Sequence, residues 1–211
     1  MVKKIKNINY RKFLDQGEIN LIDEKLLREA LANIKGKKSR EGRALLIALY
    51  YTGARPNEVL KLKSKDIKKD GRYIILSMKG SKGGLPRNIY LMYSLDLVKE
   101  LYNYAISFFP EMYLFYNFFS KYSRKKLKKN GEIVHIKEIT AKLRYYFKKW
   151  FYCVIDIPPY YLRHNRFSSM ALSGASDRDI QQMKGAKSIE SVNPYIHLSA
   201  RSSKKMARII K

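Results

Sequence analysis

The sequence predicts an α+β domain that is mainly α-helical, with one small antiparallel sheet. Apolar residues recur at helical spacing in separate stretches along most of the chain, and residues 73–91 alternate as a pair of strands would. With 211 residues the chain is long enough for one sizeable core.

Residues 1–20 are basic and aromatic without a long period, and they are expected to form an arm or linker. Asp23 offers an N-cap to a helix whose apolar face is Leu26, Leu27, Ala30, Leu31 and Ile34, ending before Gly36. A basic loop over 35–40 follows. Residues 41–51 are apolar almost all round, from Ala44 to Leu49, which marks a core helix, and Gly53 is placed to stop it. Pro56 suits the first position of the next helix, which runs through Glu58, Val59, Leu60 and Leu62.

Two strand-like runs, 73–78 and 88–91, flank Lys79-Gly80-Ser81-Lys82-Gly83-Gly84-Leu85-Pro86-Arg87, which reads as a hairpin with a glycine-rich, basic tip. Residues 95–109 return to helical spacing, and 112–119 form a dense aromatic patch. The run 121–129 carries Arg124, Lys125, Lys126, Lys128 and Lys129 and closes at Asn130-Gly131, as a surface loop would. A helix is expected over 136–151, basic on one side, with Leu143, Phe147 and Trp150 on the other. Pro158-Pro159 opens a new helix at Tyr160, running through Ala171 and Leu172 and halted by Gly174. Ser176 caps the next one, with Asp177 and Asp179 in its first turn, through Met183. A last helix over 198–210 has Leu198, Met206, Ile209 and Ile210 on one stripe.

Lys and Arg number 44 against 18 Asp and Glu, a net charge of +26 that repels itself unless a polyanion neutralises it. Nucleic acid is therefore the first partner implied. Glu is not correspondingly abundant, which weighs against an ion-pair network on a thermophilic surface as the source of the charge. One cysteine, Cys153, excludes an internal disulfide and a multi-cysteine zinc cluster, and its apolar, aromatic surroundings suit a buried thiol. No run approaches the ~18 apolar residues of a membrane span and no signal-peptide core follows the N-terminus, so an intracellular protein without a membrane role is expected.

Cleaving a phosphodiester with a tyrosine hydroxyl requires an in-line nucleophile, cations for the charge of the pentacovalent phosphorane, and an acid for the leaving 5′ oxygen. Arginine suits the second role because its planar fork binds two phosphate oxygens and stays charged. A lysine among other cations suits the third, because its lowered pKa lets it release a proton. Arg55, Arg163 and Tyr195 occur in an order that fits this chemistry.

Thr52-Gly53-Ala54-Arg55-Pro56-Asn57-Glu58-Val59-Leu60-Lys61-Leu62, followed by Asp66-Ile67, resembles the T-G-x-R-x-x-E-L-x-x-L-x-x-x-D-I box of the tyrosine recombinase (phage-type integrase) family. The resemblance implies that Arg55 grips the scissile phosphate and Glu58 supports it. Lys79-Gly80-Ser81-Lys82 is similar to the family's G-K-G-x-K turn, whose first lysine is the general acid. Met78 replaces the first glycine and Gly83-Gly84 lengthens the tip, so Lys79 is preferred while Lys82 stays open. Tyr160-Tyr161-Leu162-Arg163-His164 matches the H-x-L-R-H box, with Arg163 as the second phosphate-binding arginine. Tyr160 stands for the family's first histidine; a phenol is a poor base at neutral pH but donates a hydrogen bond to a phosphate oxygen. His164 is read as a buried histidine bonding backbone groups. The stretch 175–185 is similar to the family's G-A-x-x-x-x-I-Q-x-x-L-G-H, with Ile180-Gln181 and Gly185 in register and Ala186 at the histidine, where neighbouring Lys187 is a candidate donor. Tyr195 follows nine residues after Ala186, the family's spacing for its nucleophile, and Ile196-His197 completes its Y-x-H.

The resemblance covers residues 21–211 as a catalytic domain, with residues 1–20 too short for the separate N-terminal domain other members carry. It implies site-specific recombination or integration through a 3′-phosphotyrosine intermediate, without cofactor or metal, on double-stranded DNA as a homo-oligomer of two to four copies. Lys82, Arg87, Arg124, Lys125, Lys126, Lys128 and Lys129 are then expected to contact DNA. The altered positions are similar to those of divergent integrases of archaeal viruses and plasmids. The rival readings are a type IB topoisomerase, a DNA-binding relic that no longer cuts, and an RNA-binding protein, which the charge permits.

Overall fold

The centre of the domain is the helix that is apolar on every side. The computed structural model describes residues 22–36, 39–80, 83–115, 150–151, 154–155 and 158–196. In it α2 (Ser39–Thr52) is buried from Ala44 through Leu49. Before it lies α1 (Glu24–Ala32), whose N-cap Asp23 accepts a hydrogen bond from the Leu26 amide and whose Leu27, Ala30 and Leu31 are buried. Tyr51 donates to Glu24, which ties the two helices at their ends. After α2, Gly53 stops the helix with φ +57, a value that favours glycine, and a Cβ there would lie 3.0 Å from the Arg166 side chain. The short α3 (Pro56–Val59) then starts at its proline.

A three-stranded antiparallel sheet of order β1-β2-β3 follows: β1 (Ile67–Asp70), β2 (Tyr73–Met78) and β3 (Arg87–Met92). Alternation places Ile74, Leu76 and Met78 of β2 and Ile89 and Leu91 of β3 on the buried face. The register pairs Leu76 with Ile89 and Ile74 with Leu91, so the buried face is built from directly opposed aliphatic pairs. On the other face Ser77 bonds Asn88 across the strands, and Tyr73 meets Tyr90 edge-on. The hairpin matches the sequence reading. β1 is an addition to it, an edge strand in which only Ile67 is buried.

α4 (Asp96–Ala105) packs on α2, fastened by a two-pronged ion pair from Arg43 to Glu100 at 2.5 and 2.7 Å. α5 (Pro159–Leu172) packs on the same helix from another side and presents Phe167 and Ala171 to a second, smaller core. Asn165 of α5 exchanges two hydrogen bonds with the backbone of Ile22, which anchors the start of the described chain. α6 (Asp177–Lys184) has the predicted cap: Ser176 accepts from the Asp179 amide, and the Asp179 carboxylate accepts from the Ser176 amide. A 3₁₀ turn (Ile189–Val192) and helical residues 193–196 follow. Residues 1–20, Lys82, the run 121–129, Cys153, most of the helix expected over 136–151 and the helix expected over 198–210 lie outside the described residues. Among the described residues no helix is long and apolar enough to cross a membrane.

Candidate active site

Arg55 occupies the joint between α2 and α3, in the extended conformation that a following proline imposes. Its amide and its guanidinium both donate to Glu58, at 3.0 and 3.1 Å. The Glu58 side chain is 0% exposed and accepts a further hydrogen bond from Arg87 at 2.9 Å. Burial pushes its carboxyl up, but the hydrogen bond and charge of Arg87, with the bonds from Arg55, outweigh that and hold it below the usual carboxylate range. One carboxylate thus joins two arginines. Arg87, expected among the DNA-contacting residues, is only 7% exposed, and its Nε donates to the Met183 carbonyl.

Arg163 comes from α5 and is 1% exposed. No ion pair among the described residues includes it. Its Nη1 donates to the Gly53 carbonyl at 2.8 Å and its Nη2 to the Lys184 carbonyl at 2.9 Å, while its face lies over the Phe167 ring. Carbonyls satisfy donors without cancelling charge, so the group remains a cation inside the fold. Burial, and then the charge of Arg55, lower its pKa to about 10, which leaves it protonated at neutral pH. Its Nε is buried without a hydrogen-bond partner among the described residues.

The next residue, His164, places Nδ1 2.8 Å from the Tyr195 hydroxyl. Burial, then the charges of Lys184 and Arg163, lower its pKa to about 4, so the imidazole is neutral at working pH. A neutral ring protonated on Nε2 accepts the Tyr195 O–H at Nδ1. The His164 ring meets the candidate nucleophile, a contact that the sequence reading, with His164 bonding backbone groups, did not include. Tyr195 is itself 1% exposed, packed edge-on against Phe167, and burial pushes its phenol well above the usual value. Tyr160 stacks edge-on on His164 at 5.0 Å and is 46% exposed.

One cation in this group was not singled out from the sequence. Lys184, the last residue of α6, places its ammonium 5.3 Å from the centroid of the Tyr195 ring and donates to the Ser191 carbonyl. The available signal was its register, because Lys184 falls where the I-Q-x-x-L-G-H stretch has leucine. Lys187 is exposed, and its carbonyl accepts from Gln181. Ala186 lines a crevice of about 650 Å³ between β3 and α6.

Gly185 couples that crevice to the hairpin. It ends α6 with φ +64, its carbonyl accepts from the Leu85 amide, and a Cβ would lie 2.7 Å from Arg87 Nη1. The hairpin tip that carries Lys79 is therefore tied to the helix that carries Lys184. Lys79 itself is exposed.

Comparison with known proteins gives one consistent result. The phage integrase family profile matches residues 20–202. Tyrosine recombinase XerA of Pyrococcus furiosus is 29% identical over 184 residues, 87% of this chain, which spans 59% of that relative's length. The crystal structure of XerA recombinase superposes with a TM-score of 0.60 at 20% identity, over 92% of this chain and 65% of the other. XerH site-specific recombinase, in a post-cleavage complex with a palindromic difH substrate, gives 0.59 at 20% identity over 90% and 52%. The Tn1549 transposon integrase with circular-intermediate DNA gives 0.52 at 19% identity over 97% and 72%. At these identities the superpositions speak for the fold.

Proposed function

The chain belongs to the phage integrase family, and on that premise we propose that it cuts and rejoins double-stranded DNA by site-specific recombination through a 3′-phosphotyrosine. One observation carries the reading: the Tyr195 hydroxyl lies 2.8 Å from a neutral histidine whose sequence neighbour, Arg163, is a buried cation bonded to backbone carbonyls.

The Tyr195 oxygen attacks the scissile phosphorus as His164 Nδ1 accepts its proton. The bond to the 5′ oxygen breaks, and that oxygen takes a proton from Lys79 on the hairpin. Arg55 and Arg163 hold the non-bridging oxygens, where the phosphorane's extra charge develops. Attack by a second strand's 5′ hydroxyl reverses each transfer and restores Tyr195, so no external energy source is consumed. Tyr160, exposed beside His164, supplies a hydrogen-bond donor at the rim. XerH and the Tn1549 integrase are each known in complex with DNA. The charge of +26 supports DNA as this chain's partner too, and exchange between two duplexes requires several copies acting together.

Because Tyr195 is 1% exposed, the arrangement is a resting one, and attack requires the segment over 188–196 to shift on DNA. The same burial is the observation that favours the rival reading, a DNA-binding protein that no longer cuts. Incubation with a nicked suicide duplex followed by denaturing electrophoresis decides between them. A covalent adduct that disappears in Tyr195→Phe supports the recombinase. No adduct from wild type refutes it, and an adduct that persists in Tyr195→Phe removes Tyr195 as nucleophile.

A further inference from the structure

An ammonium half-buried among guanidiniums is unfavourable unless an anion joins them. Lys184 occupies such a place. Arg163 and Arg55 act on it from α5 and from the joint between α2 and α3, with neutral His164 and the phenol of Tyr195 beside it. None of the ion pairs among the described residues includes it. Burial first, then the charges of Arg163 and Arg55, lower its pKa to about 8. Its own carbonyl anchors Arg163, so its backbone and its side chain both belong to the cationic group. The position that should supply one more donor, Ala186, has no side chain able to do so and lines the crevice behind.

We propose that Lys184 is a further catalytic residue, the third phosphate-binding cation, whose ammonium exchanges the Ser191 carbonyl for a non-bridging oxygen of the scissile phosphate. This rests on the strand-cutting reading above and assigns within it the donor that Ala186 leaves missing. The exchange has a structural consequence. Ser191 lies in the turn that leads to Tyr195, so the phosphate that draws Lys184 away also releases a clasp on the segment that seals the nucleophile.

The test measures the rate of adduct formation on a suicide duplex with an ordinary scissile phosphate and on one with a methylphosphonate there, which removes one non-bridging charge. On the ordinary duplex Lys184→Met is expected to lose about a hundredfold, as removal of one transition-state donor does, and Lys184→Arg to recover most of it. DNA affinity in a mobility-shift assay should stay within about threefold, because many other basic residues hold the duplex. On the methylphosphonate the deficit of Lys184→Met should shrink below about fivefold, since the charge that Lys184 neutralises is gone. A deficit equally large on both substrates means that Lys184 acts only through packing on Tyr195 and overturns the proposal. So does a Lys184→Met rate within about threefold of wild type. Should Lys184→Met not fold, Lys184→Gln against Lys184→Arg gives the same comparison of charge. Wild type that forms no adduct on either duplex sinks the strand-cutting reading and this inference together; a wild-type adduct with unaffected Lys184 variants sinks this inference alone.

Discussion

Glu58→Gln should destabilise the fold far more than an isosteric change usually does. The carboxylate is 0% exposed and accepts hydrogen bonds from the Arg55 amide at 3.0 Å, Arg55 Nη1 at 3.1 Å and Arg87 Nη2 at 2.9 Å. Glutamine keeps one acceptor oxygen and turns an amide N–H₂ toward groups that are themselves donors. Arg87 then remains a buried guanidinium that has lost the charge of Glu58, beside Arg55 and Arg163. Breaking a buried pair from one side costs about 3–5 kcal/mol. Arg55 is a quarter exposed and recovers part of its hydration, so roughly 3–4 kcal/mol is expected. For a chain of this size the unfolding entropy is roughly 0.4 kcal/mol per K, which places the fall in Tm at about 7–9 °C.

The pH dependence supplies a second, independent check. The Glu58 carboxyl is held below its ordinary value in the fold, so its contribution is present above the unfolded pKa of about 4.3 and is lost as pH falls toward the folded value. The stability gap between wild type and Glu58→Gln should therefore be constant from pH 7 to about 5. Below about 4.3 it should narrow by up to about 1.4 kcal/mol per pH unit. Urea unfolding of both proteins across this range measures it. A gap under about 1 kcal/mol at pH 7, or one that stays constant to pH 3, would refute the idea that Glu58 is the shared counter-ion of the two arginines.

His164 predicts a slope of the same sign over a different window of pH. Its folded pKa of about 4 lies below the unfolded value of about 6.5, so the unfolded chain binds more protons between them and stability rises with pH across that window. That slope should weaken in His164→Gln, and the adduct rate of wild type should show no inflection near pH 6.5; such an inflection means that His164 is not the neutral acceptor of the Tyr195 proton. Lys79→Ala should lose adduct formation on an ordinary duplex and recover it on a 5′-bridging phosphorothiolate, whose thiolate leaves without a proton. An equal deficit on both substrates would remove Lys79 as the acid.

The sequence and the fold agree where local chemistry dominates. The all-apolar run of α2, the caps Asp23 and Ser176, the stop at Gly53 and the alternation in β2 and β3 each act within a few residues, and each was legible. β1 was not, because an edge strand with one buried residue, Ile67, has too little apolar alternation to distinguish it from a loop. The site divides the same way. Register within the boxes pointed to Arg55, Arg163 and Tyr195. Lys184 stayed hidden because a lysine in the last turn of a helix is ordinarily explained by the helix dipole, and the chain has 44 basic residues. Only the turn after Gly185, which folds Tyr195 back over α6, makes it part of the site.

The way the cations are held bears on how such a site persists without its substrate. Glu58 neutralises about one charge of the pair Arg55 and Arg87, while Arg163 and Lys184 are bonded to the carbonyls of Gly53, Lys184 and Ser191. Carbonyl bonds remove the penalty of unsatisfied donors but leave the charges buried and close to one another, and that burial, then the repulsion, lowers the proton affinities of Arg163 and Lys184. The site is therefore destabilising on its own and depends on the cores around it, α2 above all and the small cluster of Phe167, Ala171, Ile180, Val192 and Tyr195. Tyr195 contributes to that cluster while sealed, and the proposed reaction requires it to leave. On the proposed mechanism, a phosphate arriving between Arg55, Arg163 and Lys184 relieves the repulsion at the point where unsealing Tyr195 gives up packing, so the two changes offset each other, and the proposed nucleophile is released where DNA is already bound.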